Sequence, residues 1–352
     1  MLRRFLLPLA CGAVLFFACG KPSSNDFSDT TITAVPPADA DVGFTSNGWS
    51  PQTDAGRELF AVKLDGTGLT RLTSCNNAGP CDMVEAAFSP ERARVTALRR
   101  TSTDVPPALL YVDLTRSVSA ELVSSDGRVS GVDWSVNADF LVYSAAGQGG
   151  VDDIYRTDVT RPTSDNQQNT LDVTCPPASI VQTFTCDPTI AERRPRIDPT
   201  NTTAIFERVP AGGKGAIYLY KAANDQVLVA PPGPGSDPLP GSSYFVGSNA
   251  DPAFSPDAQS VVFRRLTAVA DGSLGTWDIL TVALDGTGLR VVVSGPVFRG
   301  PPDWGPQGIV FPEIDLATGQ SSLVAVQPDG SGRRAFFTLD PGYLLSSPRW
   351  LK

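Results

Sequence analysis

The clearest signal along the chain is a recurring pair of alternating apolar runs joined by a tight turn. Glu58-LFAVKLDGTGLTRLT and Asp278-ILTVALDGTGLRVVV are near copies, and Ser322-LVAVQPDGSGRRAFF follows the same plan. The alternation within these runs has the period of a strand with one buried face. The Asp-Gly between them predicts a β-hairpin, because its turn needs positive φ. These glycines do not read as a phosphate cradle, since strand residues rather than a helix start follow them.

A second hairpin precedes each of the first kind. Its leading strand ends on a large apolar residue and a turn: Phe88-Ser-Pro, Trp134-Ser-Val, Ile197-Asp-Pro, Phe254-Ser-Pro-Asp and Trp304-Gly-Pro. The next strand then carries its own anchor: Leu98, Tyr143, Phe206, Phe263 and Phe311. Each unit therefore has four strands, labelled A to D. The two ends of the chain supply one more unit. Val42-Gly-Phe44-Thr-Ser matches a B strand that lacks its A strand, and Ser347-Pro-Arg-Trp350 matches an A strand that lacks its B. The six B anchors, from Phe44 to Phe311, recur about every 53 residues. The expected fold is all-β: a six-bladed β-propeller over 42–352 with four-stranded antiparallel blades. Pairing of the N- and C-terminal strands in one blade closes it, which leaves no long free edge.

The run F-S-P-D, then V-V-F, then W-D-I-L-T-V-A-L-D-G-T-G-L-R resembles the WD40-like repeat of TolB-type propellers. The likeness covers roughly residues 42–352. Two units depart from it, with Trp134-Ser-Val in place of Ser-Pro and Ala222-Ala-Asn in place of Asp-Gly. Members of that family carry a further N-terminal domain that engages a partner, and a polar segment stands in its place here. The resemblance therefore implies the propeller and carries over no partner.

Upstream of the repeats, Met1-Leu2-Arg3-Arg4 precedes an uncharged stretch from Phe5 to Ala18. It is too short to span a bilayer as a helix and has the layout of an export signal, 1–18. The stretch closes on Ala18-Cys19-Gly20, which resembles the lipobox of bacterial lipoproteins. In that family the cysteine becomes the first mature residue and carries lipid, so Cys19 is the expected lipidation site. Phe16 and Phe17 depart from the family pattern, and Cys11 has too little apolar sequence before it. Residues 19–41, rich in Ser, Thr, Asp and Pro, read as a lipid-anchored flexible tether. With Cys11 and Cys19 assigned, Cys75, Cys81, Cys175 and Cys186 remain. An even number in an oxidising compartment, set as two local pairs, predicts disulfides 75–81 and 175–186. A zinc site would want tighter spacing.

Composition then narrows the chemistry. The chain has 352 residues and no histidine, which removes most general-base and imidazole-metal chemistry. Its 32 glycines and 31 prolines disfavour long helices, and a net charge of −9 argues against a nucleic-acid partner. Propeller-associated serine peptidases need a hydrolase domain with Ser, Asp and His, and related polysaccharide lyases rely on metal-binding histidines. Neither set is present. Asp152-Asp153 and Asp39/Asp41 are the obvious carboxylate clusters, and each reads as structural. No enzyme activity, cofactor or metal is expected.

Antiparallel blades place B–C and D–A loops on one face and A–B and C–D turns on the other. The longer loops fall on the first face, with both expected disulfides, and rigid scaffolds present function on such loops. The residues that follow the B anchors include Arg99, Arg100, Arg208, Arg264 and Arg265. They form a candidate binding ring for an acidic ligand; the alternative is that they are solvated or paired with Glu207, Glu313 and loop aspartates. The expected function is a monomeric cell-envelope lipoprotein, outer-membrane or cell-surface, that meets the membrane through its lipid. Its propeller would be a non-catalytic scaffold binding an envelope protein or peptide through the loop face. The alternative is an envelope glycan-binding or glycan-processing propeller, for which Trp49, Phe184, Tyr244 and Phe245 are the loop aromatics.

Overall fold

A computed structural model describes residues 30–47, 56–75, 82–100, 105–123, 128–147, 150–159, 170–173, 187, 189–221, 224–233, 237–269 and 275–351. The described chain is built from β-strands, arranged as six antiparallel blades. Blade 1 joins Leu345–Trp350, Val42–Ser46, Glu58–Val62 and Thr70–Arg71 in that order, so the two ends of the chain share one sheet. Val42 lies opposite Trp350 and Ser46 opposite Leu345, the closure expected from the half-repeats. Blade 2 is Asp82–Phe88, Arg94–Arg100, Ala108–Asp113 and Val118–Val123. Blade 3 is Val132–Trp134, Phe140–Ala146, Asp152–Asp158 and Thr170–Asp172. Blade 4 is Ile190–Ile197, Thr203–Pro210, Ala216–Lys221 and Asn224–Val229. Blade 5 is Asn249–Phe254, Ser260–Val269, Gly275–Ala283 and Arg290–Val293. In blade 6 the A strand is split into Phe298–Arg299 and Asp303–Gly305 around Pro301-Pro302. Gly308–Ile314, Ser321–Val326 and Arg334–Leu339 follow it. The A strand of each blade contacts the A strands of its two neighbours, which closes the ring around a central channel.

The turns show why these residues form hairpins. In three C–D turns, Asp65, Asp285 and Asp329 accept the backbone N–H of the residue two positions on, at 2.8–2.9 Å. The glycine after each aspartate has a φ of 81–84°. A Cβ on Gly66 would sit 2.1 Å from the Phe336 carbonyl oxygen of the preceding blade, so this turn needs glycine for packing as well as for φ. In the A–B turns a side-chain oxygen takes over part of the work. Ser89, Ser135 and Ser255 accept from the N–H groups of Arg94, Phe140 and Ser260, and Asp198 accepts from that of Thr203. Arg92, Ala138, Asn201 and Ala258 hold positive φ in the same turns.

All six B anchors are buried. Among the described residues, clusters of buried apolar side chains fill five of the six seams between blades. The seam between blades 5 and 6, for example, packs Val262 and Ile279 against Ile309, Phe311 and Val324. Fully burying one such side chain contributes about 1.5–3 kcal/mol. The seam between blades 3 and 4, where Val142, Ile154 and Phe206 are buried, is also crossed by polar contacts. Arg193 Nε lies 2.7 Å from Asp152, and Asn201 Nδ2 donates to Asn137 at 2.5 Å. Val136 N–H donates to Asn201 Oδ1 at 3.0 Å.

Residues 30–41 fall inside the expected tether, and the structure docks them on the propeller. Thr30–Ile32 pairs with Thr73–Cys75, and Ile32 and Ala34 pack on the blade 1–blade 2 core. Arg92 Nη1 donates to the Ala38 and Ala40 carbonyls at 2.8 and 3.1 Å, and its Nη2 to the Leu351 carbonyl at 3.0 Å. The physical reason is an unpaired strand edge at Thr73–Cys75 beside an apolar core, a place where extended chain gains hydrogen bonds and burial together. The rest of the expected tether, residues 19–29, lies outside the described residues, as do the expected signal 1–18 and Cys19.

Candidate functional site: the central channel and the loop face above it

The period of two along each A strand decides what faces the channel. Counting back one residue from the A-strand anchors gives Asp133, Arg196, Ala253, Asp303, Arg349 and Ala87 in blades 3, 4, 5, 6, 1 and 2. The series Asp, Arg, Ala runs twice around the ring. Each aspartate accepts the backbone N–H of the anchor in the next blade, Asp133 from Ile197 at 3.2 Å and Asp303 from Trp350 at 2.8 Å. It also pairs with the arginine just before that anchor, Asp133 with Arg196 at 3.6 Å and Asp303 with Arg349 at 4.0 Å. In the alanine blades the acid sits three residues before the anchor instead, as Asp251 and Glu85.

One further arginine, Arg194, together with Arg196 itself, binds the halves together. Arg194 reaches Glu85 at 2.5 Å and Asp251 at 3.4 Å, and Arg196 pairs across the channel with Asp303. Arg349 Nη2 meets Glu85 at 2.9 Å, and Arg264 pairs with Asp251. Every blade thus contributes to one network. Burial drives down the charged form of Arg194, but Glu85 and Asp251 outweigh it and hold the guanidinium above its ordinary pKa. For Asp251, burial works against ionisation, and Arg264 and Arg194 more than reverse it. A small void of about 20 Å³ remains beside these groups, lined by Glu85, Arg194, Arg196, Asp251 and Arg349 together with prolines.

The backbone is shaped to allow this. The A–B ladder of blades 1, 2, 4 and 5 shifts register where the strand passes the channel. Arg194, Asp251 and Ser347 hold positive φ, each before a proline. Non-glycine residues in that region cost of order 1–3 kcal/mol each and persist where surrounding contacts over-determine them. Gly131 holds the equivalent place in blade 3, where a Cβ would come within 2.7 Å of the Arg194 Cα.

The five arginines of the candidate ring are split by the same period of two. Arg99 and Arg264 occupy one position and Arg100, Arg208 and Arg265 the next, so they project from opposite faces of their blades. Arg99 is buried between Met83 and Ala108 in register. Arg264 joins the channel network and stacks 3.9 Å over Trp277. Arg100 shares Asp82 with Arg57, at 2.7 Å to each. Arg208 pairs with Glu192 and Asp225 and lies 4.5 Å over Tyr218. Arg265 donates to Asn249 Oδ1 at 2.7 Å. Four of the five therefore have named intramolecular partners, which are acids for three of them, and none of those partners is Glu207 or Glu313.

On the loop face, Tyr244 turns inward. Its hydroxyl donates to Glu207 at 2.8 Å and its ring meets Trp277 edge-on at 5.5 Å. Phe245 is half-buried, and Trp49 and Phe184 lie outside the described residues. So do Cys81, Cys175 and Cys186; of Cys75 the structure describes the backbone, as the end of a strand. Among the described residues no group of three or more Cys, Asp or Glu is placed to hold a metal ion. The channel charges are a cross-brace rather than an open acid–base site, because their carboxylates are committed to arginines and backbone N–H groups. Sequence reasoning passed over this network, although one signal was present: charged residues at a constant offset from anchors already identified.

No family model and no curated protein matches the chain. Solved structures do. TolB from Acinetobacter baumannii is 15% identical with a TM-score of 0.61, covering 90% of this chain and 68% of that one. A putative TolB from Agrobacterium tumefaciens is 13% identical with a TM-score of 0.53, covering 89% of this chain and 99% of that one. Hydrazine synthase from Kuenenia stuttgartiensis is 10% identical with a TM-score of 0.61 over 90% of this chain. The chain spans about half of that protein, 47%. At these identities the likeness defines a fold, and the fold is a TolB-like six-bladed propeller. Its presence in a synthase shows that the fold alone assigns no activity.

Proposed function

We propose that the protein is an exported cell-envelope lipoprotein, anchored by lipid on Cys19, whose propeller binds an envelope protein or peptide without catalysis. In this reading the partner docks on the face that carries the B–C and D–A loops. The observation that carries it is the channel: ion pairs from all six blades brace it, so the scaffold is rigid and its variable surface lies in the loops. Disulfides 75–81 and 175–186 would preorganise that face and lower the ordering cost of binding. Arg100, Arg208 and Arg265 would offer their guanidinium groups to acidic side chains of the partner in exchange for their present contacts with Asp82, Glu192, Asp225 and Asn249.

Capture from native envelopes with the purified propeller, run beside a glycan array, tests the reading. A specific protein captured and no glycan bound supports it; a glycan bound without protein favours the glycan alternative. Serine at Arg100, Arg208 and Arg265 together should weaken the captured complex, and unchanged capture removes the acidic-ligand role. Labelled palmitate should enter the wild-type chain and not the Cys19→Ala variant.

A further inference from the structure

Residues 237–248 form a small strap on the loop face, between the D strand of blade 4 and the A strand of blade 5. Pro238 bridges to Phe245, Leu239 N–H donates to the Tyr244 carbonyl at 2.8 Å, and Val246 N–H to that of Asp237 at 2.9 Å. Leu239, Tyr244 and Val246 pack on Leu266 and Trp277 of blade 5. Three side-chain hydrogen bonds pin the strap to blade 4, one of them from Gly215 N–H to Ser248 Oγ at 3.1 Å. Arg193 Nη1 donates to Ser243 Oγ at 2.6 Å, and the Tyr244 hydroxyl donates to Glu207 Oε2 at 2.8 Å.

Glu207 is the unusual partner. Its side chain is fully buried, and its other oxygen accepts the backbone N–H of Asp251 at 2.5 Å. One carboxyl group therefore touches both the strap and the strained A-strand residue that holds Arg194 and Arg264 in the channel. The charged groups around it are Asp251 on the A strand of blade 5, Arg194 on that of blade 4 and, through Asp251, Arg264. Arg193, its register neighbour, is committed to Asp152 and Ser243.

We infer that Glu207 is a proton-operated clasp: protonated, it stays enclosed under the strap, and ionised, it favours release of Tyr244 and opening of residues 237–248 toward water. Burial, reinforced by the Asp251 carboxylate, supports this by pushing the enclosed Glu207 up to about 7, whereas a carboxyl reached by water titrates near 4.5. Between those values the closed strap holds the extra proton. Raising the pH removes it, so closure weakens across this window and levels off above it. For a single proton the opening equilibrium changes by at most about tenfold per pH unit. The inference concerns the strap alone and stands whether or not the loop face binds a protein.

Hydrogen exchange on the full chain, with rates corrected for the intrinsic pH dependence, reads the clasp directly. Protection at Leu239, Val246 and Gly247 should fall roughly tenfold between pH 5.5 and 7.5, while that at Val262 in the blade 5 interior stays constant. In Glu207→Gln the strap's protection should lose its pH dependence. Flat protection in the wild type, or the same slope in Glu207→Gln, overturns the proposal. A second measurement needs no variant. In carboxyl-labelled protein a glutamate resonance close to the Tyr244 ring should titrate near pH 7, and a midpoint below 5 overturns the proposal equally.

Discussion

The seam between blades 5 and 6 and the seam between blades 3 and 4 do the same job with a different balance of materials. The first is a continuous apolar layer in which Ile279 and Phe311 are fully buried. The second adds to its buried Val142, Ile154 and Phe206 the Arg193–Asp152, Asn201–Asn137 and Asp133–Ile197 contacts. An apolar layer gains free energy from area and tolerates small shifts. Hydrogen bonds and ion pairs contribute only at the right geometry and lose more to competing water. The seam richer in polar contacts is therefore the preferred place to breathe, and blade 4 beside it is tied into the channel brace. Arg194 and Arg196 both come from blade 4, and both reach across to other blades.

That contrast can be broken at several points. Phe311→Ala should have the largest effect, about 3–5 kcal/mol in chemical denaturation, because it leaves a cavity in a dry seam. Arg196→Ala should follow at about 3 kcal/mol, since it leaves the half-buried Asp133 without its cation and the buried Asp303 with only Arg349, at 4.0 Å. Asn201→Ala should cost about 1 kcal/mol or less. Its sharper readout is local, with exchange of amides near Val136 rising while those of blade 5 hold. The smallest effect belongs to the rim of blade 2. Burial there opposes ionisation of Asp82, but Arg57 and Arg100 outweigh it and lower its pKa to about 2. A depressed carboxylate adds stability above its unfolded value of 3.8 that is lost as the pH falls toward 2. The melting temperature of Asp82→Asn should therefore fall less steeply with acid than that of the wild type.

Much of the ring was legible in the sequence because its signals are local. An Asp-Gly between alternating runs, a serine after an aromatic anchor and two complementary half-repeats each specify contacts within a few residues or at the chain ends. The channel network was harder to see because its partners are remote: Arg196 and Asp303 are 107 positions apart. Nothing in a single sequence says which aspartate an arginine will choose. The composition of residues 30–41 misled for a different reason. Polar, proline-containing chain reads as tether unless the strand edge that receives it is known, and that edge at Thr73–Cys75 forms only after blade 1 does. Glu207 was noted in the sequence as a candidate partner for arginine. Its role under Tyr244 needed the fold, since the strap that carries Tyr244 has no repeat to place it.

The A strand of blade 1, Leu345–Trp350, lies farther along the chain than any other described strand. Until Leu345–Trp350 has emerged, Val42–Ser46 has no inner neighbour, and Glu85 and Asp303 wait without Arg349. Five sheets can form in order of synthesis, yet the circle stays open until Leu345–Trp350 arrives. A chain stalled or clipped before Leu345 would hold five whole blades and still be an unlocked arc.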